Sequence, residues 1–309
     1  MVTGTEDILP GRLVDTIADD DATRLELLAG AQWWIGYDRA QEALRRFEYL
    51  LRYGPGQLRP PNALLLSPTN NGKSMVVEKF RRDHTPSPGQ DTDAETLPVV
   101  VVQMPTNPTI SRFYAALLAE VGAPGPRSGG GVRGHDLEQM ALRVLRAVNT
   151  RVLVIDELHN MLAGSASARR EFLNLLRYLG NVLRIPLVGV GTQEAYLAIR
   201  TDPQLENRFE PIILPLWEPG SETAKLLMSF AASLPLKRSS PDLLRPDVIK
   251  QLLTRTGGTI GEMLTLLRAA AIAAIETGED SINEHTLGIA EYKGPVERRI
   301  SIERQLVPG

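Results

Sequence analysis

The chain has 309 residues, 43% of them hydrophobic and 23% charged, which predicts a soluble globular protein of one large or two modest domains. It has no cysteine, which excludes disulfide bonds and thiolate chemistry and fits a reducing cytoplasm, and we expect neither a membrane span nor a signal peptide at its acidic N-terminus. The net charge of −3 means that a nucleic-acid partner would need a local basic surface.

Apolar spacing predicts strands that alternate with helices through the first two thirds of the chain. After helices near 21–28 and over 37–53, short apolar runs predict five strands, at 62–67, 98–104, 151–156, 185–191 and 210–216. Helical patterns over 73–84, 109–122, 137–149 and 167–183 separate them, and polar or glycine-rich loops are expected at 84–97 and 123–136.

This alternation predicts an α/β fold with a three-layer, mainly parallel sheet. From about Pro219 the pattern changes to four helices without strands, which indicates a small all-helical second domain. The predicted boundaries are an N-terminal extension (1–29), an α/β core (30–218), the helical domain (219–290) and a C-terminal tail (291–309) that could bind a partner.

The segment "SPTNNGKS", residues 67–74, lies between a predicted strand and a predicted helix, as a phosphate-binding loop requires. The loop pattern G-x-x-x-x-G-K-[ST] has Ser67 in its first place, and we expect this change to be tolerated if the backbone there is in an ordinary region. Lys73 would reach the β- and γ-phosphates of ATP, and Ser74 would offer its hydroxyl to Mg²⁺. The alternative is a turn that only resembles such a loop. The candidate nucleotide-binding residues are Asn70, Asn71, Gly72, Lys73, Ser74 and Met75.

The segment "VLVIDELHN", residues 152–160, is an apolar strand that ends in two acids. Asp156 can hold Mg²⁺ through its water shell, and Glu157 can polarise a water for attack on the γ-phosphate. The alternative, a strand followed by an acidic helix cap, does not account for the strand–helix rhythm that connects this segment to Lys73.

Two further positions suit a nucleoside triphosphatase. Thr192, at the end of the fourth strand, can contact the γ-phosphate or orient the water, or it can simply cap the helix that follows. Arg208, just before the last strand, would point out of its own subunit and act in trans on a neighbour's nucleotide. Its alternative is an ion pair with Glu206 or Glu210.

Together these parts resemble the AAA+ ATPases, with Lys73 and Ser74 in the phosphate loop, Asp156 and Glu157 as the acidic pair, Thr192 as the first sensor and Arg208 as the arginine finger. More narrowly, "LLLSPTNNGKSMVVEKF", "VLVIDELHNMLAGSASARREFLNLLRYLGN" and "PLVGVGTQEAYLAIRTDPQLENRFEPIILPLW" look like the TniB family of transposition ATPases, which is related to TnsC and more distantly to MuB and IstB. The resemblance implies an AAA+ P-loop sheet core with a small C-terminal helical lid.

The resemblance also directs attention to two segments outside the motifs. In such ATPases the segment around Ile35 and Tyr37 packs on the adenine, although the neighbouring tryptophans are explained as well by ordinary packing. Many AAA+ proteins carry a second-sensor arginine in the lid, where this chain has Gly261. Arg255 and Arg268 are the candidates to replace it, and slow or partner-dependent hydrolysis is expected.

The family implies a bacterial, cytoplasmic ATPase that forms ATP-dependent rings or filaments on double-stranded DNA without reading its sequence. It also implies two protein partners, a DDE transposase and a targeting protein of the TniQ type, and no membrane. Two alternatives stay open: a nucleotide-gated recruitment adaptor with negligible turnover, and an AAA+ ATPase without a DNA role.

A window from Met104 to Val154 holds six arginines against three acids and is the candidate DNA surface. Any one of these arginines could equally be an ordinary solvated charge. The candidate contacts are Thr106, Thr109, Arg112, Arg127 and Arg133.

Overall fold

The structure is a computed structural model, and it describes residues 20–30, 34–88, 95–123 and 134–306. The chain forms two compact units, a core unit over Asp38–Pro215 and a helical unit made of Met1–Tyr37 together with Leu216–Gly309. The division falls after Tyr37 and again after Pro215.

The core unit alternates strands with helices in the predicted order. Its strands are β1 (Asn62–Leu66), β2 (Ser87–Pro88), β3 (Glu95–Thr96), β4 (Val99–Gln103), β5 (Val152–Asp156), β6 (Leu187–Gly191) and β7 (Phe209–Ile213). Its helices are α2 (Asp38–Tyr53), α3 (Lys73–Asp83), α4 (Ile110–Glu120), α5 (Gly134–Ala147), α6 (Ala166–Leu183), α7 (Gln193–Ile199) and α8 (Pro203–Glu206), with a 3-10 helix over Leu158–Ala163.

Five strands form one parallel sheet in the order β4-β5-β6-β1-β7. The inner strands are apolar because helices cover both faces of the sheet, and every residue of β1 and β6 is buried. Aligned registers pair Gln103 with Asp156 and Leu66 with Gly191, so neighbouring strands end together at one edge. The predicted α/β class and parallel sheet are confirmed.

Two segments differ from their predicted state. The segment 84–97, expected to be a loop, contains the short antiparallel pair of β2 and β3, with Ser87 opposite Thr96. The C-terminal tail, for which no helix was predicted, contains a helix over Pro295–Leu306, whose proline at the first position suits a helix start.

The helical unit confirms a C-terminal region without strands. Its helices are α1 (Asp21–Gly30), α9 (Ser221–Ser233), α10 (Pro246–Thr256), α11 (Ile260–Glu276), α12 (Glu284–Ile289) and α13 (Pro295–Leu306). In the described residues no single helix is long and apolar enough to cross a membrane, although α10 and α11, bent by 113°, pass that test as a pair on length and composition alone.

Arg24 joins α1 to the rest of the helical unit and is fully buried. Its guanidinium donates to the Pro235 carbonyl oxygen at 2.8 Å, to Asp21 at 2.7 Å and to Asp280. A buried guanidinium is tolerated only when its donors are paired, and here a carbonyl and two carboxylates accept from it. Arg24 thus ties α1 to the segments around Pro235 and Asp280.

Replacing Arg24 by alanine should lower the free energy of unfolding of the helical unit by roughly 3 kcal/mol, because Asp280 would keep a part-buried charge without its partner. Urea denaturation followed by tryptophan fluorescence measures this, since Trp217 is buried in that unit. The control is Arg304→Ala, which removes an exposed arginine of α13 and should change stability by less than about 0.5 kcal/mol. Equal effects of the two variants would contradict the assignment.

Candidate functional site

The loop between β1 and α3 is left-handed at Asn70 (φ 59°) and Gly72 (φ 88°), and not at Ser67. Ser67 is buried, and its N–H donates to the Gly191 carbonyl oxygen at 3.1 Å. Its position therefore extends the pairing of β1 with β6 and does not require glycine. The glycine that the backbone does require is Gly72, directly before α3.

The side chain of Lys73 turns back across this loop. Its Nζ donates to the carbonyl oxygens of Ser67 at 3.0 Å and Pro68 at 2.9 Å. Burial lowers the pKa of Lys73, and the charges of Glu157 and Asp156 oppose that shift. The loop thus holds a cation between its own carbonyl groups and the acidic pair.

The Asn71 side chain is buried, and its amide group donates to the carbonyl oxygens of Leu214 at 3.0 Å and Pro215 at 2.9 Å. It anchors the loop to the chain that leaves β7. Because the Asn71 side chain is engaged in this way, its backbone N–H is the group that remains a candidate for phosphate binding. Met75, in the first turn of α3, is 38% exposed.

The acidic pair follows the end of β5. An Asp156 oxygen accepts from the Ser74 hydroxyl at 3.3 Å, and its other oxygen accepts from the Glu157 N–H at 2.7 Å. Burial raises the pKa of Asp156 and the Glu157 charge adds to this, whereas the hydrogen bonds from Glu157 N–H and Ser74 and the Lys73 charge lower it. Ser74 and Asp156 present two adjacent oxygen ligands, the donor type that Mg²⁺ takes from proteins, so the residues fit the predicted ion.

Glu157 itself is left-handed (φ 53°), which is uncommon for a residue with a side chain. Its carboxylate lies 3.1 Å from the Nε2 atom of His159. The predicted nucleophile-activating acid is therefore held by a side chain two residues further along the chain.

Thr192 follows the end of β6 and is the N-cap residue of α7, but its side chain makes no capping hydrogen bond. Its hydroxyl donates to the Glu194 carboxylate instead. Thr192 therefore occupies the N-cap position of α7, but its hydroxyl does not cap the helix.

Arg208 lies beside the amino end of β1, where its carbonyl oxygen accepts from the Asn62 N–H at 2.9 Å. The phosphate loop follows the other end of that five-residue strand, roughly 15 Å away at the usual strand rise. Arg208 is thus placed at the opposite edge of the sheet from its own loop, as an arginine that acts in trans requires.

The Arg208 guanidinium donates to the Asn181 side chain at 3.0 Å, while its Nε and Nη2 atoms are buried without hydrogen-bond partners among the described residues. Neither of the alternative ion pairs forms in this part of the chain, since Glu210 pairs with Arg46 and Glu206 with Arg200. Burial lowers the pKa of Arg208, and the nearby charge of Arg59 lowers it further. Both arginines line an open cleft of about 780 Å³.

The candidate DNA residues that are described lie around the start of α4 and are exposed. The Thr109 hydroxyl accepts from the Arg112 N–H at 3.2 Å and so caps this helix. The Arg112 side chain donates to the Asn107 carbonyl oxygen at 3.3 Å. Thr106 is exposed just before, and Arg127 and Arg133 lie outside the described residues.

The remaining candidates belong to the helical unit. Ile35 and Tyr37 are buried, and the Tyr37 ring packs edge-on against Trp217 at 5.2 Å. Gly261 is in the first turn of α11, with no cationic side chain at that place. Arg255 donates to the Leu287 carbonyl oxygen at 2.6 Å, which commits one of the two suggested substitutes to packing within the unit.

Sequence reasoning missed two residues. His159 stands inside the segment "VLVIDELHN" and carried no role, although a titratable group two residues from a candidate catalytic acid was an available signal. Arg59 lies in the chain break "GPGQLRPP", and no sequence pattern places it near Arg208.

A family model described as the bacterial TniB protein matches residues 24–219. The match confirms the resemblance that the sequence motifs indicated. No curated protein matches the chain.

Solved structures similar to this one are AAA+ proteins. They include the Aeropyrum pernix ORC1 protein in complex with DNA (TM-score 0.60, 19% identity, 91% of this chain and 70% of that chain). They also include the Aeropyrum pernix ORC2 protein in ADPNP–ADP complexes (0.56, 14%, 85% and 70%) and Cdc6p from Pyrobaculum aerophilum (0.55, 17%, 83% and 67%). At these identities the likeness shows the fold, which is that of an AAA+ P-loop ATPase.

Ser67→Gly should leave the affinity for ATP within about twofold, because the backbone at Ser67 needs no left-handed conformation. Gly72→Ala should weaken binding about tenfold or more, since a side chain at φ 88° costs roughly 1–2 kcal/mol. Titration with a fluorescent ATP analogue measures both, and melting temperatures report on folding. A large loss in the Ser67 variant would show that the first loop position bears on phosphate binding.

Proposed function

The chain belongs to the TniB family, and from this premise we propose that it is an ATP-dependent regulator of transposition in the bacterial cytoplasm. In this proposal it assembles on double-stranded target DNA through the sugar–phosphate backbone and recruits or activates a DDE transposase. The nucleotide-binding ATPase fold on which the proposal builds is common to the family and to the similar solved structures.

The observation that carries the proposal is the convergence of Lys73, Ser74, Asp156 and Glu157 at one edge of the sheet. Lys73 would bind the β- and γ-phosphates, and Ser74 and Asp156 would hold Mg²⁺. When bound, the ion would neutralise charge that develops on the phosphate oxygens. Glu157 would accept a proton from the water whose oxygen bonds to the γ-phosphorus as the bond to ADP breaks.

The position of Arg208 supports a mechanism in which hydrolysis requires assembly of neighbouring subunits. Arg208 lines a cleft at the edge away from its own phosphate loop, and among the described residues its buried Nε and Nη2 atoms have no hydrogen-bond partner. A neighbouring subunit's γ-phosphate would supply an acceptor for such a guanidinium. Arg59, on the same cleft, would add a second positive charge.

The DNA and protein partners rest on the family and on exposed groups. Thr106 and Arg112 are exposed, and Arg127 and Arg133 belong to the same basic window of the sequence. Helix α13 exposes Val296, Ile300 and Leu306, which would suit contact with the transposase or a targeting protein of the TniQ type.

One observation favours the adaptor alternative, in which nucleotide gates recruitment and turnover is negligible. Gly261 stands where many AAA+ proteins have a second-sensor arginine, and Arg255 is engaged by the Leu287 carbonyl group. This arrangement would slow hydrolysis without preventing binding.

ATPase rates and electron microscopy of the purified protein, with and without duplex DNA, test the proposal. We expect filaments or rings that need both ATP and DNA, hydrolysis that Glu157→Gln reduces to a small residual rate, and nucleotide binding that Lys73→Ala abolishes. Binding and assembly without turnover would favour the adaptor, and the absence of any DNA response would contradict the DNA role.

The variant Arg112→Ala/Arg127→Ala/Arg133→Ala should weaken duplex binding and leave ATP affinity unchanged. The slope of log K against log salt should fall in magnitude by about 0.9 for each phosphate that the variant no longer neutralises. The control is Arg45→Ala, which removes an exposed arginine paired with Glu42 on α2. Unchanged DNA affinity in the triple variant would contradict the assignment.

Subunit mixing tests Arg208. Arg208→Ala should bind ATP normally but hydrolyse it about 10³-fold more slowly. Lys73→Ala supplies an intact arginine but no working phosphate loop, so mixing the two inactive variants should restore part of the activity. Failure of the mixture, with both variants folded and assembled, would exclude a role in trans.

A further inference from the structure

The pair formed by Glu157 and His159 is the part of the site that the motifs do not account for. The His159 Nε2 atom lies 3.1 Å from Glu157 Oε2, and the two side chains are 28% and 33% exposed. This separation is a close polar contact in a partly dehydrated place, where the attraction between two polar groups is stronger than in water. The contact occupies one carboxylate oxygen and leaves Oε1 for another partner.

The other ring nitrogen of His159, Nδ1, is buried and has no hydrogen-bond partner among the described residues. A ring proton on Nε2 would face the Glu157 carboxylate, and Nδ1 without a proton leaves no buried N–H unpaired. The ring is therefore committed to a single polar contact, and that contact is Glu157.

Packing fixes the ring against the end of β6. A side-chain carbon at Gly191 would lie 3.6 Å from Nδ1 and 3.5 Å from the His159 backbone nitrogen. His159 thus lies between Glu157 and the strand end that carries Thr192.

We propose that His159 is a positioning residue for ATP hydrolysis, which holds the Glu157 carboxylate so that its free oxygen accepts the proton of the attacking water. The contact also links Glu157 to the Thr192 end of β6. This inference rests on the proposed ATPase function and adds to it a side chain that acts through Glu157 and does not touch the nucleotide.

Three substitutions of His159 separate its polar contact with Glu157 from simple packing. His159→Ala removes the donor, His159→Gln places an amide N–H close to the position of Nε2, and His159→Asn places one close to Nδ1. We expect single-turnover hydrolysis to fall about tenfold or more in the alanine and asparagine variants and to be largely retained with glutamine. The dissociation constant for ATP should be unchanged in all three.

A double-mutant cycle with Glu157→Gln shows whether His159 acts through Glu157. Adding His159→Ala to Glu157→Gln should cause no further loss, since the carboxylate it positions is already gone. The matched control is His285→Ala, which breaks a His–Glu pair with Glu279 in the helical unit (2.6 Å) and should leave the rate unchanged.

Three outcomes would overturn the inference: faster hydrolysis in His159→Ala, glutamine no better than asparagine, or equal losses in both Glu157 backgrounds. Its failure is separable from failure of the proposed function. If wild-type protein hydrolyses ATP and Glu157→Gln does not, an unchanged His159→Ala variant contradicts only the role of His159. If wild-type protein shows no hydrolysis with or without duplex DNA, the proposed ATPase fails and the role of His159 fails with it.

Discussion

The common direction of the five core strands is the constraint on which the rest of the site depends. Because every pair in the sheet is parallel, β1, β5 and β6 end at one edge, with Leu66 opposite Gly191 and Ile155 opposite Gly189. The phosphate loop, the acidic pair and Thr192 follow directly from those ends and so meet at the same place. The same constraint sends Arg208 to the far edge, where β7 begins. Strand direction is therefore compatible with the proposed division of the chemistry between two subunits.

The charged groups at that edge of the sheet lower the stability of the fold but suit the binding of a nucleotide. Lys73 is buried and loses hydration, and Asp156 is half-buried next to a second carboxylate, so burial disfavours the charged form of each. Each is compensated in part by the other, and Asp156 also by the Ser74 hydrogen bond. Groups held in this way are typical of binding and catalytic sites, where residues are selected for a task and not for the stability of the fold.

The helical unit shows which contacts local sequence patterns do not reveal. The residues of α1 read as a short isolated helix, yet Arg24 bonds to Pro235 and Asp280, more than two hundred residues away. The tail helix α13 is held similarly, since Arg298 donates to Glu262 of α11 at 2.5 Å. A hydrophobic period can predict that a segment is helical, but it carries no information on which distant carboxylate will accept from its arginine.

By itself the sequence determined the class of the fold, the five strands, the helical C-terminal region and the family. Each of these depends on a pattern of residues that are close together in the chain, such as a buried strand, a helical period or the phosphate loop. The sequence also located Gly72, Lys73, Ser74, Asp156 and Glu157 as one candidate site. Only the tertiary structure decided that Ser67 needs no glycine, that Asn71 is an anchor, that His159 holds Glu157 and that Arg208 rests on Asn181. These features depend on contacts between separate elements and on the orientation of side chains, which is set by packing in three dimensions.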